Sequence, residues 1–173
     1  MKIGLLKVAL ISLLCSCVMV SCGRQDKQPP VDLTPKEQVQ ETVDVSYAQI
    51  GKIKTIPVKV NGVSMDMIFD SGCSGVTMSL HEVQTLAKNG QISQSDIIGS
   101  SYSTIADGSI VENGLILLRE IEIGGPNGVV LHNIEASVLL NQEAPVLLGN
   151  DVLDRVASYE VDNKEKTIRF KLK

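Results

Sequence analysis

Two kinds of apolar spacing alternate along this chain. Thr55-Ile56-Pro57-Val58-Lys59-Val60 alternates apolar with polar, and Asn61-Gly62 interrupts it. The alternation resumes with Val63, Met65, Met67 and Phe69 on one face and Ser64, Asp66 and Ile68 on the other. A period of two marks strands with one face in a core. Asn-Gly between two such runs predicts a type I′ hairpin, because both central residues of that turn need positive φ. A two-residue turn pairs Val60 with Val63, Val58 with Met65 and Ile56 with Met67. All six then share a face, so turn and pattern agree on register. Pro57 has no N–H for a ladder and predicts an unpaired side to its strand.

After a further short strand, Val76-Thr77-Met78, the period changes. Ser79-Leu80-His81-Glu82 is a capping box, with Leu80, Val83, Leu86 and Ala87 at helical spacing behind it and Asn89-Gly90 to stop the helix. Strands resume over Ile97–Ala106 and Ser109–Leu118, around Asp107-Gly108. The arm Gly99-Ser100-Ser101-Tyr102-Ser103-Thr104 is polar on both faces, so this hairpin has little to pack with and is expected to be mobile. Glu120–Gly124 and Val129–Leu140 supply more strands. In Ala144–Leu153 an apolar strand ends at Gly149, and Asn150 is placed to cap a short helix reaching about Val156. A hairpin with arms Ser158–Val161 and Thr167–Leu172 closes the chain.

The N-terminus is of another kind. Lys2 and Lys7 precede an apolar run of 13 residues, Val8–Val20, too short to span a bilayer and suited to a signal peptide over residues 1–21. It ends in Met19-Val20-Ser21-Cys22-Gly23, which resembles a bacterial lipobox and implies lipidation at Cys22. Leu14-Cys15-Ser16-Cys17 is a competing site, and an ordinary secretory signal is the alternative to both. Residues 22–44 are polar and Gln-rich, and carry three of the six prolines, Pro29, Pro30 and Pro35. They read as a disordered tether, with a short helix over 36–43 as an option. The localisation implied is the bacterial cell envelope, with a folded domain over 45–173 in the periplasm or at the cell surface.

Charge and cysteines narrow the partners. Without residues 1–21 the chain loses Lys2 and Lys7, leaving 14 basic against 20 acidic residues and a formal charge of −6. That argues against nucleic acid. Of the four cysteines only Cys73 remains in the domain, so no disulfide framework holds it. His81-Glu82 begins like a zinc-peptidase motif, but Thr85 stands where the second histidine belongs. No metal or other cofactor is implied.

The chemistry gathers in Ile68-Phe69-Asp70-Ser71-Gly72-Cys73-Ser74-Gly75. A packed strand delivers one carboxylate into a turn of small residues, a costly place for an acid unless something there uses it. Strand, acid, small turn and second strand resemble the catalytic loop of aspartic peptidases. Leu148-Gly149 before a short helix, with a flap-like hairpin between, resembles the second half of the retropepsin fold. From Thr55 to Lys171 the chain thus resembles a single-lobe, retropepsin-like aspartic peptidase of bacterial envelope type.

The resemblance implies an all-β closed barrel with a flap and one or two short helices. It implies Asp70 as catalytic acid/base, with Ser71, Gly72, Cys73 and Ser74 completing the active-site loop. Ile105, Ala106, Asp107, Gly108 and Ser109 become the flap tip, and Leu148 and Gly149 the support behind the loop. Cys73 stands where alanine is usual, either filling space or offering an oxidisable thiol. Since the chain has one Asp-Ser-Gly and such chemistry needs two carboxylates, activity implies a homodimer cleaving a peptide or protein substrate. The alternatives are a catalytically inactive module of this fold that binds peptide or serves assembly, and a Cys73 nucleophile served by His81 or His132.

Overall fold

In a computed structural model, residues 41–173 are described, apart from Ala106 and Pro126. The expected signal segment, residues 22–40 of the expected tether and Cys22 lie outside them. The chain runs β1 (Thr42–Ser46), β2 (Ala48–Ile50), β3 (Ile53–Val60), β4 (Val63–Phe69), β5 (Val76–Ser79) and α1 (Leu80–Lys88). A 3-10 turn over Gln94–Asp96 leads to β6 (Ile97–Thr104), β7 (Ile110–Ile123), β8 (Val129–Leu139), β9 (Leu147–Leu148), α2 (Asn150–Leu153), β10 (Ser158–Asp162) and β11 (Thr167–Lys171). The fold is all-β with short helices.

The first hairpin has the expected register, with Ile56 opposite Met67, Val58 opposite Met65 and Val60 opposite Val63. Asn61 and Gly62 have φ of 48° and 84°, as the turn requires. Asn61 also knits the turn to the body. Its side-chain amide donates to the Gln91 carbonyl at 2.9 Å, and its oxygen accepts the Glu120 N–H at 3.0 Å. On its outer side β3 pairs with β2 as far as Thr55 and with β7 from Val58, so Pro57 sits in the gap between two ladders.

That β3–β7 contact closes a barrel. β3, β4, β9, β5, β8 and β7 are neighbours in turn, and β7 returns to β3. β9 lies between β4 and β5, parallel to the first and antiparallel to the second. Inside are Ile56, Val60, Met67, Met78, Leu118, Ile121, Ile134 and Leu148, each fully buried. Burial of one such side chain contributes roughly 1.5–3 kcal/mol. A second sheet, β1-β11-β10, adds Val43, Val45, Ile168 and Phe170 to the same core.

Ser79 caps α1, its hydroxyl accepting the N–H groups of His81 and Glu82 at 3.1 and 3.4 Å and contacting the Glu82 carboxylate. At the other end Gly90 (φ 68°) makes the stop, with Gly90 N–H bonded to Ala87 O and Gln91 N–H to Leu86 O.

Three expectations are corrected. β1 begins at Thr42, within the stretch read as tether, and Val43 is in a strand rather than a helix. Glycine 149, not Asn150, is the N-cap of α2, and that helix ends at Leu153. The separate strands expected at Ser109–Leu118 and Glu120–Gly124 are one continuous β7.

Candidate active site

β4 ends at Phe69 because Asp70 turns its backbone into the loop. One carboxylate oxygen of Asp70 accepts the Gly72 N–H at 2.9 Å, and the Asp70 carbonyl accepts the Cys73 N–H at 3.2 Å. Behind the turn, Leu148 pairs with Phe69 and accepts the Asp70 N–H at 3.2 Å. The acid is thus fixed through its backbone by the barrel and through its side chain by its own turn. No cationic side chain among the described residues forms an ion pair with it.

The loop is locked onto the start of α2. The Asn150 and Asp151 N–H groups donate to the carbonyls of Cys73 and Ser74, both at 2.9 Å. The Asn150 side chain donates to the Ser71 carbonyl at 3.1 Å. These contacts require bare backbone at Gly149, where a β-carbon would stand 2.2 Å from the Gly75 carbonyl oxygen. Leu148 and Gly149 therefore sit directly behind Asp70-Ser71-Gly72.

Asp70 and Ser71 line an open cleft of about 670 Å³ with Lys52, Ile53, Lys54, Ile68, Phe69, Pro145, Leu147, Tyr159 and Val161. The Tyr159 ring meets Phe69 edge-on, with centroids 5.1 Å apart. Lys52, Lys54, Tyr159 and Asn150 went unread as site residues in the sequence. Lys54 could have been found by continuing the β3–β4 register, since Thr55 stands opposite Ile68 and one further step sets Lys54 opposite Phe69. Tyr159 had no comparable signal.

The hairpin between β6 and β7 has its loop at Ile105–Ser109, and Ala106 lies outside the described residues. Ile105 N–H donates to Ser109 O at 3.0 Å, and Asp107 accepts the Ser109 N–H at 2.8 Å. β6 contributes no buried residue. It is tied down by side-chain bonds, Asn113 to Ser103 at 2.8 Å and Ser101 to Ser137 at 3.1 Å. In the single chain Ile105 lines a neighbouring cavity with Leu139, Leu140 and Pro145 rather than the Asp70 cleft; Pro145 is common to both.

Cys73 is half-buried. Its thiol donates to the Gly75 carbonyl at 3.2 Å and lies 3.8 Å from the Thr77 hydroxyl. Neither histidine is among its hydrogen-bond partners: His81 is exposed on α1, and His132 stands 3.8 Å from Glu120. No group of metal-binding side chains forms among the described residues.

Residues 56–155 match the family described as "gag-polyprotein putative aspartyl protease". Among solved structures, a retropepsin-like aspartic protease from Rickettsia conorii superposes with a TM-score of 0.54 and 17% identity, over 76% of this chain and 90% of that one. No curated protein matches.

Proposed function

This chain belongs to the gag-polyprotein aspartyl protease family and has its all-β retropepsin-like fold, and on that premise we propose that it is an aspartic endopeptidase working as a homodimer. The observation that carries the reading is the setting of Asp70. Its carboxylate stands at an open cleft, positioned by its own turn and unmatched by any cation among the described residues. One such group is half of a peptidase. Two copies meeting on a two-fold axis bring Asp70 and its counterpart together, and like charges at that range share one proton. The ionised carboxylate then takes a proton from water as the water oxygen attacks the scissile carbonyl carbon. The protonated one hydrogen-bonds the carbonyl oxygen, and a proton passes to the leaving nitrogen as the C–N bond breaks. Ser71 and Gly72 bond across the pair, and Ile105–Ser109 covers the substrate.

The lipobox-like Met19-Val20-Ser21-Cys22-Gly23 supports a bacterial envelope enzyme anchored through lipid on Cys22, with the polar stretch that follows as its tether. The test is cleavage of a diverse peptide library from acidic to neutral pH by wild type and Asp70→Asn. The variant should keep its circular dichroism and lose at least about 10²–10⁴-fold in kcat, the range of general acid–base catalysis. Undiminished cleavage by folded Asp70→Asn overturns the mechanism.

A further inference from the structure

We propose that the Asp70 cleft holds a subsite for an acidic side chain of the substrate, built from Lys52 and Lys54. This rests on the peptidase reading and gives it a substrate class: peptides with glutamate or aspartate close to the cleaved bond. The cleft is otherwise apolar along Ile53, Ile68, Phe69, Pro145, Leu147 and Val161, and Asp70 is the one carboxylate in its lining. The two lysines are its cations. Neither has a carboxylate partner among the described residues, whereas Lys59 and Lys164 do.

Two unneutralised ammonium groups beside the cleft of an acidic chain would favour a negative guest. Their place follows from the hairpin. Continuing the pairing of Thr55 with Ile68 by one position sets Lys54 opposite Phe69, the residue before Asp70, and Lys52 lines the same cleft two residues earlier. Lys54 is half-buried, and its ammonium lies 5.6 Å from the centre of the Tyr47 ring, which holds the side chain by a cation–π contact. On that same ring Lys166 makes a contact of equal length, adding positive potential beside Lys54. An extended peptide advances roughly 3.3 Å per residue, so a long lysine near Asp70 meets side chains up to about three positions from the reacting bond.

The test uses peptides identical but for Glu, Gln or Lys at each of the three positions either side of the bond. Exposed ion pairs of this kind are worth up to about fivefold each. Wild type should therefore favour Glu over Gln in kcat/KM by at least about twofold at its best position, and less so as salt screens the pair. Lys52→Ala with Lys54→Ala should bring that ratio to about one, and Lys54→Glu should turn the preference toward Lys.

Equal losses on Glu and Gln peptides would mean that the lysines act on Asp70 or on folding, and would overturn the proposal. So would an unchanged Glu/Gln ratio with weakened dimerisation, which would place them between copies. Wild-type binding of the same series with an uncleavable reduced bond, read by fluorescence anisotropy, separates the two readings. Turnover of all peptides without an acid preference removes the subsite and leaves the peptidase. Absence of turnover with at least about twofold tighter Glu binding removes the peptidase and leaves the subsite, and no preference in binding removes the subsite.

Discussion

A β-carbon on Gly149 would meet backbone, 2.2 Å from the Gly75 carbonyl oxygen and 2.6 Å from that of Cys73, and neither oxygen can swing aside. One on Gly75 would meet only the Asp151 carboxylate, at 3.0 Å, which a side-chain rotation can relieve. Gly149→Ala is therefore expected to cost about 3 kcal/mol in urea unfolding, the upper part of the range for overpacking. It should also cut kcat in the fraction that still folds, because the loop that aims Asp70 must shift. Gly75→Ala should cost less than half as much; equal losses would show that the close approach at Gly149 is not what holds the loop. At this scale Asp-Ser-Gly was legible because an acid between an apolar strand and a small turn is unusual by itself. Asn150 was misread for a physical reason: the rule that gives asparagine to a helix cap ignores a competing carbonyl, and Ser71 supplies one. Tyr159 could not be read at all, since no spacing rule links it to Phe69.

Elements built from neighbouring residues were the most legible. Asn61-Gly62 specified a turn, a register and a buried face together, and Ser79 with Asn89-Gly90 marked both ends of α1. β1 escaped because its partner β11 lies at the far end of the chain, while its own residues are half polar and follow a Gln-rich stretch. What holds β1 includes a direct cross-strand pair: Arg169 Nε and Nη2 donate to the two Asp44 oxygens at 2.7 and 2.9 Å. The hydrogen bonds from Arg169, with its charge, hold the Asp44 carboxyl below its ordinary value despite some opposing desolvation. A carboxyl lowered in the folded state stabilises the fold above its unfolded pKa, and that contribution disappears as pH falls through the folded value. Wild type should thus lose urea resistance from about pH 4 downward. Asp44→Asn, with nothing to protonate there, should show a shallower decline over the same window. Parallel curves for the two proteins would mean that the pair adds nothing to acid stability. The exposure of both groups keeps the expected difference small.

The closed barrel was legible only through family resemblance, since the β3–β7 contact joins residues some sixty positions apart and leaves no local pattern. The sequence carries one Asp-Ser-Gly, and the proposed mechanism makes that number govern how the whole molecule must behave. If Asp70 acts only with its counterpart, specific activity belongs to the dimer. It should fall in proportion to concentration well below the dissociation constant, by about tenfold for each tenfold dilution. Mixing is the sharper measurement. Equal amounts of wild type and folded Asp70→Asn, left to exchange subunits at a concentration where dimers persist, re-pair at random. About half of the wild-type subunits then have a wild-type partner, so activity per wild-type subunit should drop to about half its unmixed value. A single acid working alone would leave that activity unchanged however much variant was added. Mass measurements confirming that mixed dimers had formed, together with undiminished cleavage, would remove the shared site and with it the need for two-fold symmetry in the mechanism.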